Sequence, residues 1–114
     1  TTLWEITNRI NTGKGPYNID ISADGKFLVA TLKSDAKTLV WQLNKKNPLI
    51  ISNNSTVSHG VVISPDSKYA FVTVEGVGGD PGLVDVIDLE KAKVVSSVNI
   101  GKQAGGIAFW KIEE

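Results

Sequence analysis

The sequence predicts an all-β protein made of β-propeller blades, each a four-stranded antiparallel sheet, at about two and a half blades for the chain. Three observations predict it. Short runs of β-forming residues alternate with turn residues along the whole chain, and nothing has the length or 3.6-residue period of a helix. The plan repeats: Ile19, Ile21, Ser22, Asp24, Lys26 and Thr31 recur 42 positions later as Val61, Ile63, Ser64, Asp66, Lys68 and Thr73. Runs such as FLVATL and YAFVTV are apolar on both faces, as a sheet packed between two neighbours requires.

Taken in order, Thr2–Ile6 and Arg9–Thr12 read as two short strands, and Gly13–Pro16 (GKGP) interrupts them with turn residues. Tyr17–Ser22 alternates. Ala23–Lys26 (ADGK) supplies a hairpin turn, and Phe27–Leu32 is the next strand. A polar loop, Lys33–Lys37, leads to strand Thr38–Leu43, and Asn44–Pro48 turns the chain into Leu49–Ser52. The second copy runs Ser58–Ser64, turn Pro65–Lys68, Tyr69–Glu75, loop Gly76–Gly82 (GVGGDPG), Leu83–Leu89, turn Glu90–Lys93 and Val94–Ile100. Beyond that loop the offset becomes 46, pairing Val40 with Val86 and Leu43 with Leu89. The extra residues therefore lie inside GVGGDPG. Gly101–Ala104 matches Gly13–Pro16, and Gly105–Ile112 opens a third copy, with its strand at Gly106–Ile112. The expected organisation is one partial propeller domain. It comprises a blade remnant at 1–12, blades at 13–55 and 56–100, and a closing strand at 101–114.

Composition narrows the function classes. Twelve basic residues balance twelve acidic ones, so no global field favours nucleic acid or an anionic membrane. Cysteine is absent, which removes disulfides, thiol catalysis and thiolate metal sites. No apolar run reaches the length of a transmembrane helix, so no membrane insertion is expected. No signal-peptide pattern is recognised, and a first residue of Thr1 suits either a processed product or part of a longer polypeptide.

The candidate site residues lie on one rim, where the loops after the second and fourth strands of each blade meet. His59, the only histidine, starts an innermost strand. Tyr17 and Gly105 hold the equivalent places in the other copies, at the expected mouth of a central channel. Glu75 or Asp80 could partner His59 as metal ligand or general base, although a hydrogen-bonded structural histidine is the plainer reading. Lys14 and Lys102 occupy equivalent rim positions and could attract anions, or serve as solvated charge. These six residues (Tyr17, His59, Glu75, Asp80, Lys14 and Lys102) form the expected ligand-binding set.

Other features favour structure over chemistry. GVGGDPG has the wrong spacing for a dinucleotide fingerprint and is followed by a strand, so it reads as a loop that shapes the rim. Trp4, Trp41 and Trp110 fall inside expected strands and read as filler between blades. Asn53 and Asn54 head two overlapping glycosylation sequons, which mark an exposed loop. Asp85 and Asp88 read as blade-edge or turn residues. No G-x-S-x-G elbow or Ser–His–Asp set is present, so no catalytic residue, metal or cofactor is assigned.

The segments SADGKFLVAT and SPDSKYAFVTV, with VDVIDL, KVVSSVNI and the following GK, resemble YVTN-type repeats of the YncE-like β-propellers, matching their C-terminal blades. The resemblance covers nearly the whole chain and implies blades of a seven-membered ring. It also implies an extracytoplasmic location, periplasmic or cell-surface. Surface-layer proteins, lactonases and cofactor-bearing propellers share the architecture, so the resemblance is specific for fold and poor for activity.

Two or three blades cannot close a ring, and open faces attract partners. The expected function is a non-enzymatic binding or scaffold module that self-associates, a dimer first, and binds a protein or small molecule through its rim loops. The alternatives are a lactonase-like or metal-bearing enzyme with its site near His59, or a piece of a longer propeller.

Overall fold

The computed structural model describes residues 3–113. Strands β1 (Pro16–Ile21), β2 (Phe27–Leu32), β3 (Lys37–Gln42) and β4 (Leu49–Ser52) form one antiparallel sheet in chain order. Strands β5 (Val57–Ile63), β6 (Tyr69–Glu75), β7 (Leu83–Asp88) and β8 (Lys93–Asn99) form a second sheet of the same design. Each strand lies within one residue of its expected bounds, because turn residues punctuate the chain clearly. The β1–β2 turn shows how. The Ser22 hydroxyl donates to the Asp24 carboxylate at 2.6 Å and accepts the Phe27 amide at 2.9 Å, and the Lys26 amide donates to the same carboxylate oxygen at 3.0 Å. Ser64, Asp66, Lys68 and Tyr69 repeat this lock in the β5–β6 turn.

Three expected strands have no ladder. Thr2 lies outside the described residues, and residues 3–6 and 9–12 form no strand. Gly106–Ile112 likewise runs without ladder hydrogen bonds. The residue types suit strands, but a strand exists only beside a partner, and the sheet order places no neighbour next to these segments.

The sheets pack face to face. The register puts Val61 opposite Val72 and Ile63 opposite Ala70, so these four share the face of the second sheet turned towards the first. They join Phe27, Val29 and Val40 of the first sheet in one core cluster. On the opposite face of the first sheet, Ile19 pairs with Ala30 and Ile21 with Leu28. Ile19 and Ile21 are 61% and 56% exposed, whereas their repeat equivalents Val61 and Ile63 are 6% and 7% exposed. The same repeat positions are buried or bare according to whether a sheet lies in front of them.

Polar clamps join the sheets at their inner edge. Both innermost strands carry a bulge, between Pro16 and Ile19 in β1 and between Ser58 and Val61 in β5, which frees backbone groups from the ladder. Thr31 Oγ1 accepts the Asn18 amide at 3.1 Å and donates to the His59 carbonyl at 2.6 Å. Thr73 does the same one repeat on, accepting the Gly60 amide at 2.8 Å and donating to the Gly105 carbonyl. Asp20 adds a further tie, its Oδ2 accepting the Ile63 amide at 2.7 Å.

Two expectations need correction. Trp41 is half-buried and donates from Nε1 to the Lys45 carbonyl at 3.0 Å, but Trp4 and Trp110 are largely exposed rather than packed between sheets. They sit on the segments that lack a neighbour. Asp85 is fully buried in the middle of β7 instead of at an edge or turn. Its Oδ2 accepts the Asn53 side-chain amide at 3.0 Å and the Asn54 backbone amide at 2.9 Å. Its Oδ1 accepts the Asn54 side-chain amide at 3.0 Å and the Ser97 hydroxyl at 2.5 Å.

Candidate functional site

The bulges of β1 and β5 turn Tyr17 and His59 towards the same inner rim. Their ring centroids are 4.6 Å apart with planes inclined at 55°. Lys33, the residue after β2, places its ammonium 4.6 Å from the Tyr17 ring centroid. The Lys33 amide donates to the Gly15 carbonyl at 2.8 Å, which fixes the base of its side chain beside the start of β1. A Cβ added at Gly105 would lie 4.0 Å from His59 Cε1. The three repeat-equivalent positions 17, 59 and 105 therefore follow one another along the inner edge.

His59 is half-buried, and its Nδ1 is inaccessible and has no hydrogen-bond partner among the described residues. The hydrogen-bonded structural histidine expected from the sequence is thus not what forms: the backbone carbonyl is clamped by Thr31 while one ring nitrogen stays unmatched. A buried nitrogen of this kind is costly unless something completes it.

The other expected residues are not gathered here. Among the described residues, no hydrogen bond or ion pair joins His59 to Glu75 or Asp80. Glu75 is half-buried at the end of β6, opposite Val57, and Asp80 is exposed in the Gly76–Gly82 loop. Lys14 is exposed, its amide donating to Asp35 Oδ2 at 2.8 Å, and Lys102 is exposed on the Gly101–Ala104 linker. No group of three or more histidine, aspartate or glutamate side chains among the described residues is placed to hold a metal. Lys33 was not singled out from the sequence. Its signal was available, since it is the repeat equivalent of Glu75 and must share that rim position.

The GVGGDPG loop is ordered by its own backbone. Asp80 donates its amide to the Val77 carbonyl at 3.3 Å, and a Cβ at Gly76 would come within 2.1 Å of the Asp80 carbonyl oxygen. Gly76 is required for the loop to fold back on itself. At the opposite rim, the Asp24 carboxyl is held below its ordinary value first by the Ser22 hydroxyl and then by the Lys26 amide. Asp66 is lowered in the same way by Ser64 and Lys68. These carboxylates lock turns.

No family model matches the sequence, and no curated protein matches it. Solved structures do. The chain is similar to hydrazine synthase from Kuenenia stuttgartiensis, with 27% identity and a TM-score of 0.72 over 81% of this chain and 27% of that one. It is similar to a functionally unknown protein from Desulfotomaculum acetoxidans, with 23% identity and a TM-score of 0.73 over 91% of this chain and 33% of that one. The Cps50 (Swd1) β-propeller domain from Myceliophteria thermophila matches at 21% identity and a TM-score of 0.66, over 83% of this chain and 28% of that one. The fold is that of β-propeller blades. The chain spans roughly a third or less of each of these proteins.

Proposed function

We propose that this chain is a two-blade sector of a YVTN-type, YncE-like propeller that works as a non-enzymatic binding module through its inner rim. The observation that carries this reading is the cluster of Tyr17, Lys33 and His59, with a buried imidazole nitrogen that no described residue completes. An exposed aromatic face beside an ammonium and an unmatched ring nitrogen suits a ligand with a flat apolar body and an anionic or hydrogen-bonding end. The hydroxyl-locked Ser-x-Asp-x-Lys turn, present in both blades, supports the YVTN-type reading. The enzyme alternative lacks support at the same place, because neither Glu75 nor Asp80 is hydrogen-bonded to His59.

A ligand-observed NMR screen with carboxylated aromatic fragments tests the reading. Binding that is lost in Tyr17→Ala and His59→Ala, with unchanged far-UV circular dichroism, is the expected result. Hydrolysis of a lactone or ester that disappears in His59→Ala would instead make the rim catalytic.

A further inference from the structure

We infer that the cleft between the two blades, at the rim opposite Tyr17 and His59, docks an extended segment of a partner protein. That segment carries a bulky apolar side chain and, two positions away, a lysine or arginine.

The cleft follows from how the blades stack. The innermost strand of the second sheet, β5, packs against β1, β2 and β3, whereas the outermost strands β4 and β8 make their main contacts within their own sheets. The blades therefore diverge outwards, and the turns at residues 43–48 and 89–92 leave the wedge between them unfilled. A cavity of about 350 Å3 lies there. Phe27, Val40 and Leu49 line it from the first blade, and Leu89 and Ala92 from the second. Phe27, Val40 and Leu89 are buried, while Leu49 is 59% exposed. Both walls belong to complete four-stranded sheets of the same chain.

A second cavity of about 350 Å3 continues the first, sharing Phe27, Gln42 and Glu90 with it. Its chemistry differs. Asp24, Asp66, Asp88 and Glu90 line it together with Lys26 and Lys68, four carboxylates against two ammoniums. The ion pair among the described residues joins Lys111 to Glu113, so none of these six groups is paired. Asp66 and Asp88 hold their turns through Oδ1, and their Oδ2 atoms take no hydrogen bond among the described residues. A guanidinium or ammonium completes such a set, and an anion is repelled by it. An apolar pocket that runs into an anionic one asks for an occupant with both characters. Alternate side chains of an extended chain point to the same side, so an apolar and a basic residue two positions apart enter the two cavities together.

NMR titration of the isotope-labelled chain with end-blocked heptapeptides provides the test. The probes place leucine two positions before or after arginine in a serine background. In the controls, glutamate replaces the arginine or serine replaces the leucine. The expected result is a saturable shift of the Gln42, Lys45 and Glu90 amides with the leucine–arginine probe of one order, weakened by added salt. Either control binds about tenfold more weakly or worse. Glu90→Lys and Leu49→Ser change exposed side chains, and each lowers affinity on the order of tenfold with an otherwise unchanged spectrum. The glutamate probe gains affinity for Glu90→Lys, a rescue that a misfolded variant cannot give. No saturable shift, equal binding of all probes, or a preference for the glutamate probe by the wild type overturns the proposal. Tyr17→Ala leaves the titration unchanged, so this surface and the inner-rim site fail separately.

Discussion

Ser67 occupies a turn position that the first repeat gives to glycine: Gly25 has φ of 71° and Ser67 of 61°. A side chain in this left-handed region costs roughly 1–2 kcal/mol. Ser67 offsets that cost by accepting the Asp24 amide across the blade interface at 3.1 Å. Ser67→Ala keeps the strain and loses the bond, and is expected to destabilise the protein by about 1 kcal/mol in urea unfolding. Gly25→Ala meets nothing within 4 Å, so strain alone sets its cost, about 1–2 kcal/mol. Asp85 is the other telling residue. Asp85→Ala leaves the side-chain amides of Asn53 and Asn54 unmatched and is expected to cost about 3 kcal/mol. Asp85→Leu restores the residue type of the equivalent position, Leu39, and still destabilises, because the asparagines remain. The same bonds occupy the amide nitrogens of both sequons, so the folded chain is expected to resist glycosylation there, as intact mass would show. Asp24 and Asp66 add to the acid sensitivity of the fold. Their folded values lie below 3.8, so their contribution is complete above that pH and is lost as pH falls through the folded values. The double variant Asp24→Asn, Asp66→Asn is expected to flatten the acid limb of the stability profile.

At the scale of elements, the two threonine clamps have unequal consequences. Thr31 ties together two complete sheets, whereas Thr73 ties a sheet to a single segment. Thr31→Val is expected to lower global stability by about 1–2 kcal/mol. Thr73→Val mainly speeds hydrogen exchange of the Gly105–Phe109 amides. Gly60→Ala should act as Thr73→Val does, since its Cβ would approach the Gly105 carbonyl oxygen to 2.9 Å and Ile107 Cγ2 to 3.3 Å. The strands themselves were legible because period-two apolar runs, Asp-Gly and Pro-Asp turns and the repeat all agree on them. The end segments were not, because Leu3–Ile6 and Gly106–Ile112 have strand-like residues but no neighbour, and pairing is invisible in composition. The adjacency of Tyr17 and His59 was legible through repeat equivalence. The Asp85 network was not, because only one copy has it: Asn53 and Asn54 reach it from a linker, and local sequence does not reveal such a partner. Burial was the least legible quantity. Ile19 and Val61 are alike as residues and opposite in exposure.

For the whole molecule, two sheets with one shared core leave two outward apolar faces, and the similar proteins are each about three times longer. Covering the part of Ile19 and Ile21 that stays exposed is worth about 1–2 kcal/mol for each side chain. Every ladder among the described residues joins strands that are adjacent in the chain, β1 to β2 through β3 to β4, and again from β5 to β8. Loop closure then proceeds in short steps, each costing little chain entropy. A chain emerging from the ribosome can finish its first meander before the second is synthesised, and the finished sheet offers a template on which β5 condenses. Folding of such a molecule is directional, each finished sheet receiving the next.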